Sequence, residues 1–306
     1  MASWKKAVND RLRRLTGYQL VRAPGREANP RSNDRLHKAV NRLETVAARL
    51  ETTAKALPLG KPAATSAAVS AARPATKPAA KREFPDDFAD AYRAIITAVR
   101  PYTMTSNDKL HALITATQYI HDHAIPGDIV ECGVWRGGSM HAVARVLDAA
   151  GDHTRDLYLF DTFEGMPPPT DKDRRLDGRP AAELLAKSDR GTTVWAYASL
   201  EDVKAGFATV PYPAERIHYV QGKVEDTVPG SAPDHIALLR LDTDWYESTR
   251  HELEHLYPRL ASGGVLIIDD YGWWQGSHDA TEEFLRSTGE RLLLVRAGTG
   301  RIAVKP

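Results

Sequence analysis

From Asp128 onward the chain alternates short apolar runs with stretches whose apolar residues recur every three or four positions. The runs Asp128–Glu131, Leu157–Phe160, Ile217–Val220, Ile236–Leu241 and Val265–Ile268 have the length and continuity of strands covered on both faces. Helical spacing places crossovers at Ser139–Ala150, Val203–Thr209 and Thr249–Leu260, and two leading helices at Phe88–Val99 and Asn107–His123. Leu292–Val295 and Arg301–Val304 flank Ala297-Gly-Thr-Gly and predict a hairpin. Repeated β-α units closed by a hairpin predict an α/β fold: a Rossmann-like, doubly wound, seven-stranded sheet with a late antiparallel hairpin strand. Residues 162–195 break the rhythm with Pro167-Pro-Pro, alternating charges and no periodic apolar face, and read as a lid-like insertion.

Upstream, the pattern changes. Leu36, Val40, Leu43, Val46 and Leu50 fit an amphipathic helix of about two heptads, short of what a coiled coil normally wants. Trp4, Val8, Leu12 and Leu15 share one face of a basic helix, for which a solvated helix or a flap on the main domain outweighs a membrane-surface role. Residues 58–83, rich in Ala, Pro and Lys, cannot bury a core and read as a linker. The expected organisation is therefore a basic helical extension (1–57), a linker (58–83) and a main domain (84–306).

Charge sharpens that division. Residues 1–83 carry 18 basic and 6 acidic residues; the remaining 23 basic and 34 acidic residues leave the main domain strongly acidic. A single cysteine, Cys132, excludes a disulfide framework and a cysteine-based zinc site. No apolar run approaches a membrane span, and charges interrupt the N-terminal apolar positions as they would not in a signal peptide. The expectation is a cytoplasmic protein, with peripheral membrane contact through the basic extension left open and no nucleic-acid partner.

The candidate chemistry lies at strand ends. Two apolar runs close in acids: Asp242 and Asp244 after the first, Asp269 and Asp270 after the second. In a parallel sheet both ends share the edge where open α/β folds bind ligands. So many carboxylates repel one another unless a cation lies between them, which points to a divalent metal. Asp244 reads equally well as a cap of the following helix. Glycines 133, 137 and 138 let the backbone after the first strand approach a ligand closely. Their spacing is not the dinucleotide G-x-G-x-x-G, and Glu131 would repel a pyrophosphate. Glu131 suits an amino-acid ammonium instead, and Asp161 at the next strand end suits ribose hydroxyls. S-adenosyl-L-methionine carries both groups.

The motifs E-C-G-V-W-R-G-G-S, F-D-T-F-E-G-M-P, G-K-V-E-D-T-V-P, L-R-L-D-T-D-W-Y-E-S-T and I-I-D-D-Y-G-W-W-Q-G, in that order, resemble the macrocin O-methyltransferase family of the TylF/MycF type. The resemblance covers about residues 84 to 306. It implies a class I methyltransferase fold, S-adenosyl-L-methionine and Mg2+ as cofactors, an oligomer, and methylation of a hydroxyl on a sugar of a natural product. It further implies that Glu131, Gly133 and Ser139 line the cofactor, that Asp161 binds its ribose, and that Gly222 to Glu225 lie near the adenine. Thr103 and Met104 would cover the methionine portion, and Asp242, Asp269 and Asp270 would hold the metal.

Independent chemistry agrees with those positions. Magnesium prefers hard oxygen ligands, and two vicinal hydroxyls of an acceptor could complete its shell, with Asp242 taking a proton as general base. Tyr102, Trp273, Trp274 and His278 are candidate acceptor contacts, although a lone histidine is more often a bystander. Arg136 reads as a turn residue or a cofactor contact. The resemblance implies a glycosylated small molecule as acceptor, and the basic extension prompts the further expectation of a membrane-borne or lipid-linked glycan. The rival readings are a catechol- or phenol-directed enzyme using the same metal and a catalytically silent scaffold; the intact acids argue against silence.

Overall fold

A computed structural model describes residues 84–189 and 193–306. The extension, the short coiled coil and the linker expected over 1–83 lie outside the described residues.

Seven strands form one sheet: β1 (Asp128–Cys132), β2 (Leu157–Asp161), β3 (Ile217–Gln221), β4 (Ile236–Leu241), β5 (Leu260–Ile268), β6 (Val295–Ala297) and β7 (Gly300–Val304). Their order is β3-β2-β1-β4-β5-β7-β6; the first five are parallel, and β7 and β6 run antiparallel to their neighbours. The chain winds outward from β1 in one direction and from β4 in the other, so the topological switch point lies between them, where such folds open a ligand crevice. The doubly wound reading and the terminal hairpin are thus borne out.

Strand side chains alternate between two apolar layers. Ile129, Leu157, Leu159, Leu238 and Ile267 pack under α2 (Asn107–Asp122) and α3 (Gly138–Ala150), with Val203 and Phe207 of α5 (Leu200–Phe207). Val130, Phe160, Leu239, Leu266 and Ile268 face α7 (Tyr246–Leu256) and α8 (Gln275–Thr288). α1 (Asp90–Val99) lays Ile96 and Val99 against α2 and α3. Ser106 caps α2, accepting from the Lys109 amide.

The structure departs from the sequence reading at three elements. α8 was not expected because it packs through small side chains, Gly276, Ser277, Ala280 and Thr281, with Phe284 as its one large buried residue. β5 begins at Leu260, ahead of the expected Val265, since the Ala261-Ser-Gly-Gly turn-like stretch still belongs to the strand. The first hairpin strand is Val295–Ala297 and not Leu292–Val295.

The insertion is also more ordered than its composition predicts. Within it α4 (Ala181–Ala186) packs Ala181 and Leu185 on Trp245 and Trp274. Single β-bridges join Arg174 to Pro180 and Arg175 to Trp274. The buried Asp173 carboxylate accepts from the Tyr246 amide at 2.8 Å and the Thr170 amide at 2.6 Å. α6 (Val224–Thr227) follows β3. No helix among the described residues is long and apolar enough to cross a membrane.

Candidate active site

The carboxyl ends of β1, β2, β4 and β5 open into a cavity of about 750 Å³, within the usual range for small-molecule sites. The turn after β1 shapes one side. Gly133 adopts φ +83°, and a Cβ there would lie 2.1 Å from the Asp242 carbonyl oxygen, so only glycine lets the ends of β1 and β4 meet so closely. Gly138 opens α3 directly beneath Tyr102 and Thr103; a Cβ there would fall 2.6 Å from each.

Asp161 fixes this turn. Its Oδ2 accepts from the Val134 and Trp135 amides at 2.7 and 3.0 Å, and its Oδ1 from the Phe163 amide at 2.7 Å. Burial raises its pKa above the ordinary carboxylate value, against the pull of those bonds. Asp161 therefore reaches the cavity as the anchor of the glycine-rich turn.

The acidic cluster assembles by register. Glu131 of β1 lies beside Arg240 of β4, and Leu241 beside Ile268, so Asp242 and Asp269 emerge next to one another. Oxygens of Asp242, Asp269 and Asp270 lie within 4.8 Å of one another. The structure adds a feature the sequence reading missed: the cluster has its own cations. Arg240, 2% exposed, pairs with Glu131 Oε1 at 2.5 Å, Asp242 Oδ2 at 2.7 Å and Asp269 Oδ1 at 2.6 Å. Lys109 of α2 pairs with Asp269 Oδ2. Repulsion among the acids is thus met in part from within. A charged residue inside the apolar run Ile-Ala-Leu-Leu-Arg-Leu was the available signal, because an arginine is seldom fully buried without acids around it.

Two cations do not balance the site. Glu131, Asp242, Asp244, Asp269 and Asp270 against Lys109 and Arg240 leave a formal excess of three negative charges. Asp270 Oδ2 is buried without a partner. Burial and the neighbouring carboxylates push the Asp242 and Asp270 pKa values well up, whereas Arg240 and Lys109 hold that of Asp269 below the ordinary value against its burial. Hard oxygen donors, an orphaned carboxylate oxygen and residual negative charge fit a divalent cation such as Mg2+.

Asp244 belongs to this cluster and not to a helix cap. α7 begins after Trp245 with no side-chain cap, while Asp244, at φ +68°, bonds to Asp270 and to Trp274. Burial, then the Asp242 charge, raises its pKa to about 7.

Met104, Gly133, Asp161, Gly222, Glu225, Asp242, Asp269, Asp270, Trp273 and Trp274 all line the cavity. Five expected residues do not. Glu131 is buried behind the wall, with Oε1 on Arg240 and Oε2 without a partner; burial, opposed by Arg240, raises its pKa to about 7. Ser139 is buried in the first turn of α3. Tyr102 and Thr103 lie against Gly138, with the Tyr102 ring on His141 and Arg136 beside it. His278 pairs with Asp279 and packs on Tyr271, outside the wall. Arg136 donates to Asp202 and to the Pro101 carbonyl.

Part of the lining is apolar. Met166, Pro167 and Leu184 of the insertion line the cavity together with Trp273, which is 42% exposed and carries the Arg175 guanidinium over its ring at 4.0 Å.

A family model described as macrocin-O-methyltransferase (TylF) matches residues 58–291. Over 170 residues the chain is 37% identical to the 8-demethyl-8-(2,3-dimethoxy-alpha-L-rhamnosyl)-tetracenomycin-C 4'-O-methyltransferase of Streptomyces olivaceus, a match covering 56% of this chain and 62% of that protein. Over 183 residues it is 32% identical to the demethyldecarbamoylnovobiocin O-methyltransferase of Streptomyces niveus, covering 60% and 67%. The matches thus span about two thirds of these relatives' lengths. Among solved structures the O-methyltransferase NovP superposes with a TM-score of 0.59 at 29% identity, covering 67% of this chain and 82% of that one.

Proposed function

Because this chain belongs to the macrocin O-methyltransferase family, we propose that it transfers a methyl group from S-adenosyl-L-methionine to a hydroxyl of a sugar on a glycosylated natural product or glycolipid. The observation that carries the reading is the placement of the glycine-rich turn beside the acids of β4 and β5 in one cavity. A methyl donor and a divalent cation would then lie next to each other. Two relatives support the class of reaction, one of them named for a hydroxyl of a rhamnosyl compound.

In this reading Gly133 admits the donor close to the backbone, Asp161 holds the turn and offers remaining lone pairs toward the ribose, Gly222 and Glu225 flank the adenine, and Met104 covers the sulfonium side. Glu131 and Ser139 act from behind the wall, Glu131 by fixing Arg240. Asp242, Asp269 and Asp270 would hold Mg2+, which when bound supplies an electrophile that acidifies a neighbouring hydroxyl. Asp242, which lines the cavity with its Oδ2 beside Arg240, is placed to accept the acceptor's proton. Trp273, Trp274 and the apolar face of the insertion receive the aglycone and exclude water, which favours alignment of oxygen, methyl and sulfur.

Calorimetry tests the donor half. S-adenosyl-L-methionine should bind the full chain, and Asp161→Ala should abolish binding by releasing the turn. Absence of donor binding to a folded wild-type protein would remove the enzymatic reading.

A further inference from the structure

Asp269 has no free oxygen. Its Oδ1 takes the Arg240 guanidinium at 2.6 Å and its Oδ2 takes the Lys109 ammonium. A cation drawn to Asp242, Asp269 and Asp270 must share or replace one of these bonds. The two occupants differ in freedom. Arg240 is buried and pinned by Glu131, Asp242 and Thr105 as well, so moving it would break three further contacts. Lys109 stands on the cavity wall, with its stem against Gly298 and its ammonium paired with Asp269. A flexible four-carbon stem lets the ammonium leave Asp269 without disturbing α2.

We propose that Lys109 is a tethered counter-ion that competes with the divalent cation for Asp269 and so sets how tightly the three acids hold it. This rests on the metal reading given above. The same side chain keeps the carboxylates together: without it Asp269 retains only Arg240 against Asp242 and Asp270. Lys109 thus holds Asp269 while no cation is bound and opposes the cation that replaces it, acting through Asp269. An ordinary supporting lysine would have the opposite signature, because its loss would disorder Asp269 and weaken metal binding.

The test is calorimetric titration of MgCl2 into the full chain without donor, for the wild type, Lys109→Met, Lys109→Gln and Lys109→Arg, with thermal unfolding in EDTA and in saturating MgCl2. Removing one positive charge beside the site should tighten Mg2+ binding by about tenfold or more in Lys109→Met and Lys109→Gln, and Lys109→Arg should stay near the wild type. Both neutral variants should melt below the wild type in EDTA and gain more from MgCl2 than it does. Binding by the neutral variants but not by the wild type would support the proposal most strongly. Equal or weaker binding by folded neutral variants, with the wild type binding, would overturn it and leave the metal reading standing. Absence of Mg2+ binding in all four proteins would overturn the metal reading itself, and this proposal with it.

Discussion

Replacing Arg240 by methionine tests the central electrostatic claim. The guanidinium serves three carboxylates, at 2.5, 2.7 and 2.6 Å, and is itself almost completely buried. Breaking a buried ion pair by deleting one partner costs about 3–5 kcal/mol, because the remaining charge stays desolvated. Three such costs do not add: the substitution also spares the burial of the guanidinium, Asp269 keeps Lys109, and Asp242 is partly solvated, with its side chain 26% exposed. The expected loss is therefore about 4 kcal/mol, near the middle of the range for one pair. For a domain of this length each kcal/mol lowers the melting temperature by roughly 2–4 °C, so Arg240→Met should melt about 8–16 °C below the wild type. Guanidinium unfolding followed by tryptophan fluorescence, in EDTA at pH 7.5, reads the difference directly. Adding Glu131→Gln should recover part of it, since the buried charge deepest behind the wall is then gone. A loss below about 1 kcal/mol would refute the reasoning, since the carboxylates would then not depend on Arg240.

Three further outcomes follow from the same geometry. His141 is buried between Tyr102 and Phe207 with Nε2 unpartnered, and burial, then Arg145 and Arg136, lowers its pKa to about 4. The unfolded chain takes up this proton near pH 6.5 and the folded one only near pH 4, so stability should fall by up to about 3 kcal/mol across that window. His141→Phe should flatten that part of the profile, as read by unfolding midpoints between pH 7 and 4. Gly133→Ala places a Cβ 2.1 Å from the Asp242 carbonyl oxygen at a positive φ; it should cost more than about 1 kcal/mol and abolish donor binding in calorimetry. Asp173→Ala leaves the Tyr246 amide without its acceptor. It should accelerate tryptic cleavage after Arg174 and Arg175 while circular dichroism stays unchanged; unaltered cleavage would mean that Asp173 does not pin the insertion.

The strands were legible because residues buried on both faces are mostly apolar, and their acidic ends stand out for the same reason: Asp161, Asp242 and Asp269 close runs that are otherwise largely apolar. What could not be read was the partner of each charge. Arg240 looks like an interruption of β4 until the register puts it beside Glu131, and Lys109 lies on a helix far away in sequence. Glu131 was legible as an acid at a strand end but not as the arginine's anchor, since either role asks for the same residue there. α8 escaped notice because small side chains at a close helix contact leave little hydrophobic periodicity. The insertion hid its packing for a similar reason, with Asp173 doing by hydrogen bonds what an apolar stripe does elsewhere.

Methyl transfer itself is the most direct measurement of the account. Full-length protein is incubated with isotopically labelled S-adenosyl-L-methionine and a panel of glycosylated natural products, with MgCl2 or with EDTA, and products are read by mass spectrometry. The account predicts an acceptor that gains one labelled methyl group on a sugar hydroxyl, loss of that product in EDTA, its return with MgCl2, and none from Asp242→Asn. Undiminished transfer in EDTA and from Asp242→Asn would contradict it.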